Sequence, residues 1–426
     1  MKAILIGAGS RGDVRPMLSL GIALAQRGSE VVVMAAPQFQ SWIESFSRYG
    51  ITFRPMGKGI FDLMQPEYLR GYSKIALVQI LKKFAEEEIL GQIAAYSDPF
   101  IQDATIIIGG VFCFVGESFA EFKGIPYVRF VIHPSTLRSA HSPSPLFGVN
   151  WRFPKIVNKL SWRITDEMAE RAISKPLNQF RRYHGLLPLK SPCVMGQSAL
   201  NLAGFDHEVL KIPEDVYEQS RVVNKPILEM IKLGSFPWPL EDELDLDLLP
   251  FMKDGTPPIL LSIGTVGDKQ RQDIIKLVGG SVADLGLRAI ILQGGSPEGV
   301  GNLPSTVRII QDVPYSNSKL LPLARAFVHH GGSGTTGDVL RFGIPHIVIP
   351  HVQDQFFTAK DLYSAGLSSP PIPIKQLTQN RLTTALQMVL ENNLIQQKAK
   401  EVGKLLAKKN PLVDAVNFLE RCVSHR

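Results

Sequence analysis

Residues 326–355 read AFVHHGGSGTTGDVLRFGIPHIVIPHVQDQ. The first four have the apolar character of a buried strand. Glycines at 331, 332 and 334 then interrupt any regular element and let the backbone approach whatever lies beside it. A helical pattern opens at about Thr335, and HIVIP at 346–350 reads as a second strand. Strand, glycine turn, helix and strand form the repeating unit of a parallel sheet covered by helices on both faces.

Outward from this stretch, the same alternation fills both halves of the chain. In the C-terminal half PILLSIG (258–264), AIILQG (289–294) and VRIIQDV (307–313) read as strands, and 379–407 and 411–424 as helices. In the N-terminal half KAILIG (2–7), EVVVMA (30–35), ITFRPM (51–56), ATIIIGG (104–110) and IPYVRFV (125–131) read as strands. Helices are expected over 16–27, with Pro16 in the first turn, and over about 113–123. Between Pro226 and Pro258 lie Pro237, Pro239, Pro250 and Pro257 and the acidic run EDELDLD at 241–247. That composition reads as a linker. The expected architecture is α/β, with two Rossmann-like doubly wound domains facing a cleft. The N-terminal domain covers 1–225, the linker 226–257 and the C-terminal domain 258–410. A last helix at 411–426 is expected to pack back on the first domain.

The 426 residues are 45% hydrophobic and 20% charged, an ordinary globular balance that excludes collagen, coiled coil and wholesale disorder. No apolar run reaches the ~18 residues of a membrane span. The N-terminus lacks the longer apolar stretch and cleavage site of a signal peptide. Cys113, Cys193 and Cys422 are odd in number and widely spaced, which fits neither a disulfide framework nor a zinc site. The expected compartment is the cytoplasm, with peripheral membrane contact as an extension. The net charge of +7 is concentrated: between Thr136 and Lys190, ten basic residues face three acids. Such a window suits an anionic partner or a solvated helical surface. RFPKIVNKLSWRI (152–164) reads either as an amphipathic helix for an anionic membrane or as an apolar face packed on the core. No nucleic-acid-binding module accompanies the charge, so a nucleic-acid partner is not expected.

Gly7-Ala8-Gly9-Ser10-Arg11-Gly12 matches G-x-G-x-x-G after a strand. A dinucleotide site also needs an acid at the end of the second strand, to hold the ribose. Met34, Ala35, Ala36 and Pro37 stand there instead. Asp13 has two readings, a polar residue helping the turn into a helix and a carboxylate able to take a proton from a bound hydroxyl. In the C-terminal half, the amides of the glycine turn at a helix N-terminus form an anion site suited to a diphosphate. His330, Ser333 and Thr335 offer further donors there, while His329 reads as a packed strand residue.

HHGGSGTT (329–336), then Gly343-Ile344-Pro345, Ile349-Pro350 and Asp354-Gln355, resembles the donor signature of glycosyltransferase family 1, the UDP-glycosyltransferase superfamily. GSRGDVRP (9–16) is similar to the N-terminal signature of its sterol glucosyltransferase and bacterial antibiotic glycosyltransferase branches, and LLSIGTVGD (260–268) and DVPYS (312–316) follow in the family's order. The resemblance spans essentially the whole chain and implies a GT-B fold. It implies that Asp13 is the general base of an inverting transfer of a hexose, glucose first, from a UDP-sugar to a hydroxyl of a hydrophobic acceptor such as a sterol, lipid or natural-product aglycone. It assigns His330, Gly332, Ser333, Gly334 and Thr335 to the diphosphate, with Gly264 and Thr265 beside it. Val313 aligns with the position pairing with the base, Asp338 with the ribose, and Asp354 and Gln355 with the sugar hydroxyls. Ser10, Arg11 and Gly12 lie in the loop that meets the donor from the first domain.

Three departures qualify the resemblance. Asp13 stands where many plant members carry a histidine. Asp338 is one methylene shorter than the plant glutamate. No tryptophan lies between 239 and 426 to stack on a uracil, so UDP is the first expectation and dTDP stays open. The family implies no cofactor and no metal, and Asp245-Leu246-Asp247 reads as a chance D-x-D in an acidic linker. The alternatives are a non-catalytic nucleotide-binding homologue and, behind it, an NAD-dependent oxidoreductase.

Overall fold

The structure is a computed structural model, and it describes residues 1–58, 86–147, 153–189, 200–216, 229–240, 248–253, 255–262, 264, 268–293, 303–311 and 319–424. Its strands are β1 (Lys2–Gly7), β2 (Glu30–Ala35), β3 (Ile51–Pro55), β4 (Ile106–Gly109), β5 (Tyr127–Val131), β6 (Leu200–Ala203), β7 (Glu229–Lys232), β8 (Ile259–Ser262), β9 (Ala289–Gln293), β10 (Val307–Gln311), β11 (Ala326–His329) and β12 (His346–Val348). Helices α1 (Arg11–Gln26), α2 (Gln40–Glu44), α3 (86–95), α4 (Gly116–Lys123) and α5 (Lys155–Tyr183) accompany the first sheet. Helices α6 (Leu248–Lys253), α7 (Asp268–Asp284), α8 (Ser333–Arg341), α9 (Gln353–Ser364), α10 (Gln379–Glu391) and α11 (Asn393–Ala407) accompany the second, and α12 (Pro411–Ser424) ends the chain.

The chain divides into two units. The first holds Met1–His207, Lys211–Pro239 and Asn410–Arg426, and the second Glu208–Leu210 and Leu240–Lys409. Both sheets are wholly parallel, ordered β3-β2-β1-β4-β5-β6-β7 and β10-β9-β8-β11-β12. Each order starts in the middle and reverses once, between β1 and β4 and between β8 and β11. Ligands of such sheets bind outside the carboxyl ends of the strands at that reversal.

Successive strand residues point to opposite faces, and here both faces are buried. In the second unit Ile259, Leu261, Ile291 and Val328 pack with Ile274, Val278 and Val282 of α7 and Leu382 and Leu386 of α10. Leu260, Ile290 and Phe327 turn the other way, toward Val339 of α8 and Met252 of α6. In the first unit α12 packs on α1, burying Leu412, Val416 and Leu419, and Arg27 binds Glu420 at 2.8 Å.

Four sequence expectations are corrected. α1 begins at Arg11 rather than at 16, because Ser10 caps it, and Pro16 lies inside the helix. The expected linker contributes β7 to the first sheet and α6 to the second unit, and the unit boundary falls at 239–240. The helix expected over 379–407 breaks at Asn392, whose side chain accepts from the amides of Leu394 and Ile395 and starts α11 afresh. The acidic run at 241–247, with its D-x-D, lies outside the described residues.

α8 is supported from behind by α11. Arg341 donates to the Leu406 carbonyl at 2.8 Å. A Cβ at Gly403 would lie 2.6 Å from backbone atoms of Gly343, which itself has a φ of +67°. Gly403→Ala is therefore expected to destabilise the protein by about 1–3 kcal/mol through overpacking against backbone that cannot yield. Denaturant titration checks this, and an unchanged midpoint would refute the contact's importance.

Candidate active site

In the first unit β1 runs through Gly7–Ser10 into α1 at the sheet's reversal point. Ser10 Oγ accepts from the Gly12 amide at 3.2 Å and donates to Asp13 Oδ2 at 2.8 Å. The Ser10 amide donates to the same oxygen at 2.7 Å. This is a reciprocal cap, so the turn-forming reading of Asp13 is correct as structure. Both of these bonds go to Oδ2 and neither uses Oδ1. Burial raises the Asp13 carboxyl above its ordinary value, against the lowering effect of the Ser10 bonds. A base is strengthened in that direction.

The glycines of the loop have specific tasks. A Cβ on Gly9, at φ +133°, would lie 2.4 Å from Asp13 Oδ2, and one on Gly7 would lie 2.9 Å from Val14 Cα. The close approach that a dinucleotide pyrophosphate would need is thus taken up by the chain's own carboxylate. The N-terminus of α1 already holds an anion, which is the physical reason this G-x-G-x-x-G is not a phosphate site. Arg11 lies 4.4 Å over the Trp42 ring, a cation–π contact.

The second unit is built the opposite way. β11 ends at His329, and Gly332 precedes α8 with no side-chain cap on the helix. The first amides of α8, at Ser333, Gly334 and Thr335, have no partners within the helix and none from a capping side chain. His330 is held between two glycines: a Cβ on Gly264 would meet its Nδ1 at 2.8 Å, and one on Gly332 its Nε2 at 2.4 Å. Burial lowers His330 to about 4, partly offset by hydrogen bonding to the Ser262 backbone. At neutral pH it is therefore an uncharged imidazole with one N–H, and giving that N–H to a diphosphate means giving up the Ser262 backbone.

The loop after β12 closes on this turn. Gly331, at φ +92°, leaves no room for a Cβ beside the Gln355 carbonyl and Val348, each 3.0 Å away. The rings of His330 and His351 are 6.3 Å apart. Gln355 Oε1 accepts from the amides of His351 and Val352 at 2.8 and 3.2 Å. That fixes the side chain and leaves its amide N–H groups without a partner among the described residues. Asp354 stands in the first turn of α9. Asp338 is buried on α8 and lines a small void with Thr335, Leu292 and Phe327.

His329 is buried, as expected for a strand residue. Its Nδ1 accepts from the Gly331 amide at 3.1 Å, and its Nε2 lies 2.9 Å from His346 Nδ1. The first bond makes Nε2 the protonated nitrogen of a neutral His329, donating to His346. This pair anchors the glycine turn. His346 and His351 were not singled out in the sequence, although both stand in the HIVIPH run beside the donor signature.

The structure thus brings Gly264, His330, Gly332, Ser333, Gly334, Thr335, Asp354 and Gln355 together in the second unit. It gathers Ser10, Arg11, Gly12 and Asp13 in the first. Thr265 and Val313 lie outside the described residues.

A model of the glycosyltransferase family 28 N-terminal domain matches residues 3–142. A model of the erythromycin biosynthesis protein CIII-like C-terminal domain matches residues 277–416. These two matches, one in each half of the chain, agree with the resemblance to glycosyltransferases read from the sequence. Among curated relatives it is 29% identical over 438 residues to a sterol 3-beta-glucosyltransferase of Komagataella phaffii, covering 98% of this chain and 34% of that protein. The chain therefore spans about a third of the length of that sterol enzyme. It is 28% identical to O-mycaminosyltylonolide 6-deoxyallosyltransferase of Streptomyces fradiae, covering 100% of this chain and 98% of that one. The glycosyltransferase VinC, solved in complex with dTDP, superposes with a TM-score of 0.69 at 20% identity over 100% of both chains. The kitacinnamycin glycosyltransferase gives the same TM-score at 16% identity, covering 99% of this chain and 98% of its own. The fold is GT-B.

Proposed function

We propose that the protein transfers a hexose, glucose first, from a UDP-sugar to a hydroxyl of a hydrophobic acceptor, with inversion at the anomeric carbon. The acceptor oxygen forms the new bond to that carbon as the bond to the diphosphate oxygen breaks. Asp13 Oδ1 takes the hydroxyl proton. The departing diphosphate gains charge, which the amides at Ser333–Thr335 and neutral His330 stabilise. Gln355 N–H groups and Asp354 hydrogen-bond the sugar hydroxyls, and Asp338 the ribose. Thr265 and Val313 keep the roles the family gives them, beside the diphosphate and the base. Ser10, Arg11 and Gly12 serve the donor from the first unit. No cofactor or metal is part of the proposal, because helix and side-chain donors supply the positive potential.

The observation that carries this reading is the contrast between the two loops. The N-terminus of α1 is filled by its own carboxylate, whereas that of α8 is uncapped and flanked by fixed, uncharged donors. It also separates the reading from an NAD-dependent oxidoreductase, which needs the first loop empty. The sterol 3-beta-glucosyltransferase relatives support glucose and a sterol-like acceptor. A dTDP-sugar is the second reading, favoured by the deoxyallosyltransferase, which matches end to end, and by the dTDP complex of VinC.

Thermal stability with UDP, dTDP, GDP, ADP and NAD⁺ tests the donor class. A nucleotide at about 100 times its Kd adds about 2.7 kcal/mol. UDP is expected to stabilise most. A larger effect of dTDP transfers the proposal to the second reading, stabilisation by NAD⁺ alone refutes both, and no response to any nucleotide favours a non-catalytic homologue.

A further inference from the structure

α5 is turned inside out over its first three turns. Its buried face is polar: Asn158, Ser161 and Thr165 are buried, with Trp162 between them. They are spent on the segment before the helix. Asn158 donates to the Ala140 carbonyl at 2.9 Å and Trp162 Nε1 to the Ser142 carbonyl at 2.9 Å. Ser161 Oγ accepts from the Ser144 amide at 2.9 Å. The exposed face is apolar. Phe153, Ile156, Val157 and Leu160 are 37%, 76%, 39% and 53% exposed. Ile156, Val157 and Leu160 share one face of the helix, and Phe153 stands just before its Pro154 cap. The expectation of an apolar face packed on the core is therefore wrong for these four. The polar partners in 140–144 claim the inner face instead.

Lys155, Lys159 and Arg163 flank the stripe, four residues apart, and are exposed. None has an ion pair among the described residues, and no acid occurs between 153 and 165. Helices ordinarily place acids, not lysines, in their first turns, because the dipole is positive there. Here Lys155 opens the helix, with no acid in the first turn and no side-chain cap. An exposed apolar stripe edged by unpaired cations, kept against the helix dipole, suits a surface that is both apolar and anionic.

We propose that the N-terminal turns of α5 dock the protein on an anionic lipid bilayer. Phe153, Ile156 and Leu160 enter the headgroup–acyl boundary, and Lys155, Lys159 and Arg163 meet the headgroups. The contact is peripheral, since no described helix is long and apolar enough to cross a membrane. It does not rest on the proposed reaction, and it is read without donor or acceptor.

The test is flotation of the full chain with two vesicle types, phosphatidylcholine alone and phosphatidylcholine with one third phosphatidylglycerol. Binding is expected to the anionic vesicles only and to fall in high salt, since each basic residue near such a surface is worth about fivefold in partitioning. Ile156→Ser with Leu160→Ser, and separately Lys155→Glu with Lys159→Glu, are expected to lower binding at least tenfold, by about 1.4 kcal/mol or more. All four side chains are exposed, so thermal melts should be unchanged. A melt that does change is met by the single variant Ile156→Ser, which must still weaken binding. Failure of the wild-type chain to float overturns the proposal, as does undiminished binding by either double variant. Gel filtration showing a dimer that Ile156→Ser with Leu160→Ser abolishes would overturn it in favour of a second copy of the chain.

Discussion

Asp13→Asn is expected to slow sugar transfer by about 10²- to 10⁴-fold, the usual worth of a positioned general base, while leaving UDP binding intact. Asparagine is the informative substitution because of the cap. Asp13 Oδ2 accepts from the Ser10 amide and hydroxyl, and the carbonyl oxygen of an asparagine accepts the same two bonds. The start of α1, and with it the Gly7–Gly12 loop, keeps its shape. Asp13→Ala removes both the base and the cap, and loss of such a cap costs about 1 kcal/mol. A loss of activity in the alanine variant alone would therefore speak for structure rather than chemistry. The pH profile separates the two further. Burial holds the Asp13 carboxyl above its ordinary value, and a base works only when deprotonated. The wild-type rate should rise with pH through that raised pKa and then level off. The asparagine variant should lack this rise. Full turnover by Asp13→Asn would dismiss Asp13 as the base.

The sequence made the sheets legible because parallel strands buried on both faces are continuous apolar runs, as in AILI and VVVM. β7 escaped because it sits among prolines that suggest a linker. The donor loop was legible because glycine is required there: each of Gly264, Gly331 and Gly332 leaves space that a neighbouring ring or carbonyl occupies. The loop around Asp13 was ambiguous for the same reason. A glycine pattern records a close approach, not what approaches, and only the structure shows that Asp13 fills the space beside Gly9. α5 misled most. Ile156, Val157 and Leu160 have the spacing of a core face, but which face is buried is decided by the carbonyls of Ala140 and Ser142. Hydrogen bonding at that separation leaves no trace in local periodicity. His346 and His351 were passed over because a histidine beside a signature motif carries no spacing of its own.

Those histidines make the second unit sensitive to acid. Burial lowers His330 to about 4 and His346 and His351 to about 3, from an ordinary value of 6.5, and pushes His329 down as well. A histidine buried neutral binds its proton more readily in the unfolded chain. Its stabilising contribution is therefore complete above 6.5 and is lost as the pH falls toward the folded value. By about pH 5 each such group costs about 2 kcal/mol, at 1.36 kcal/mol per unit. His329 and His346 share a hydrogen bond, so they do not count independently, yet the loss still reaches several kcal/mol. Domain stabilities are typically about 5–15 kcal/mol. Among the described residues the first unit carries fewer such groups, with His133 lowered to about 3 by burial and partly exposed His184 lowered by burial and by nearby Lys123. Trp42, Trp162 and Trp238 belong to the first unit, and the sequence of the second holds no tryptophan. In denaturant titrations at falling pH, the far-ultraviolet circular dichroism midpoint should therefore drop ahead of the tryptophan fluorescence midpoint, and the two should cease to coincide. UDP, which binds the folded second unit on the proposed reading, should restore the coincidence. Midpoints that stay flat between neutrality and about pH 5 would mean that these four imidazoles are already protonated or solvated in the native protein, and the neutral His330 invoked for the diphosphate would fall with them.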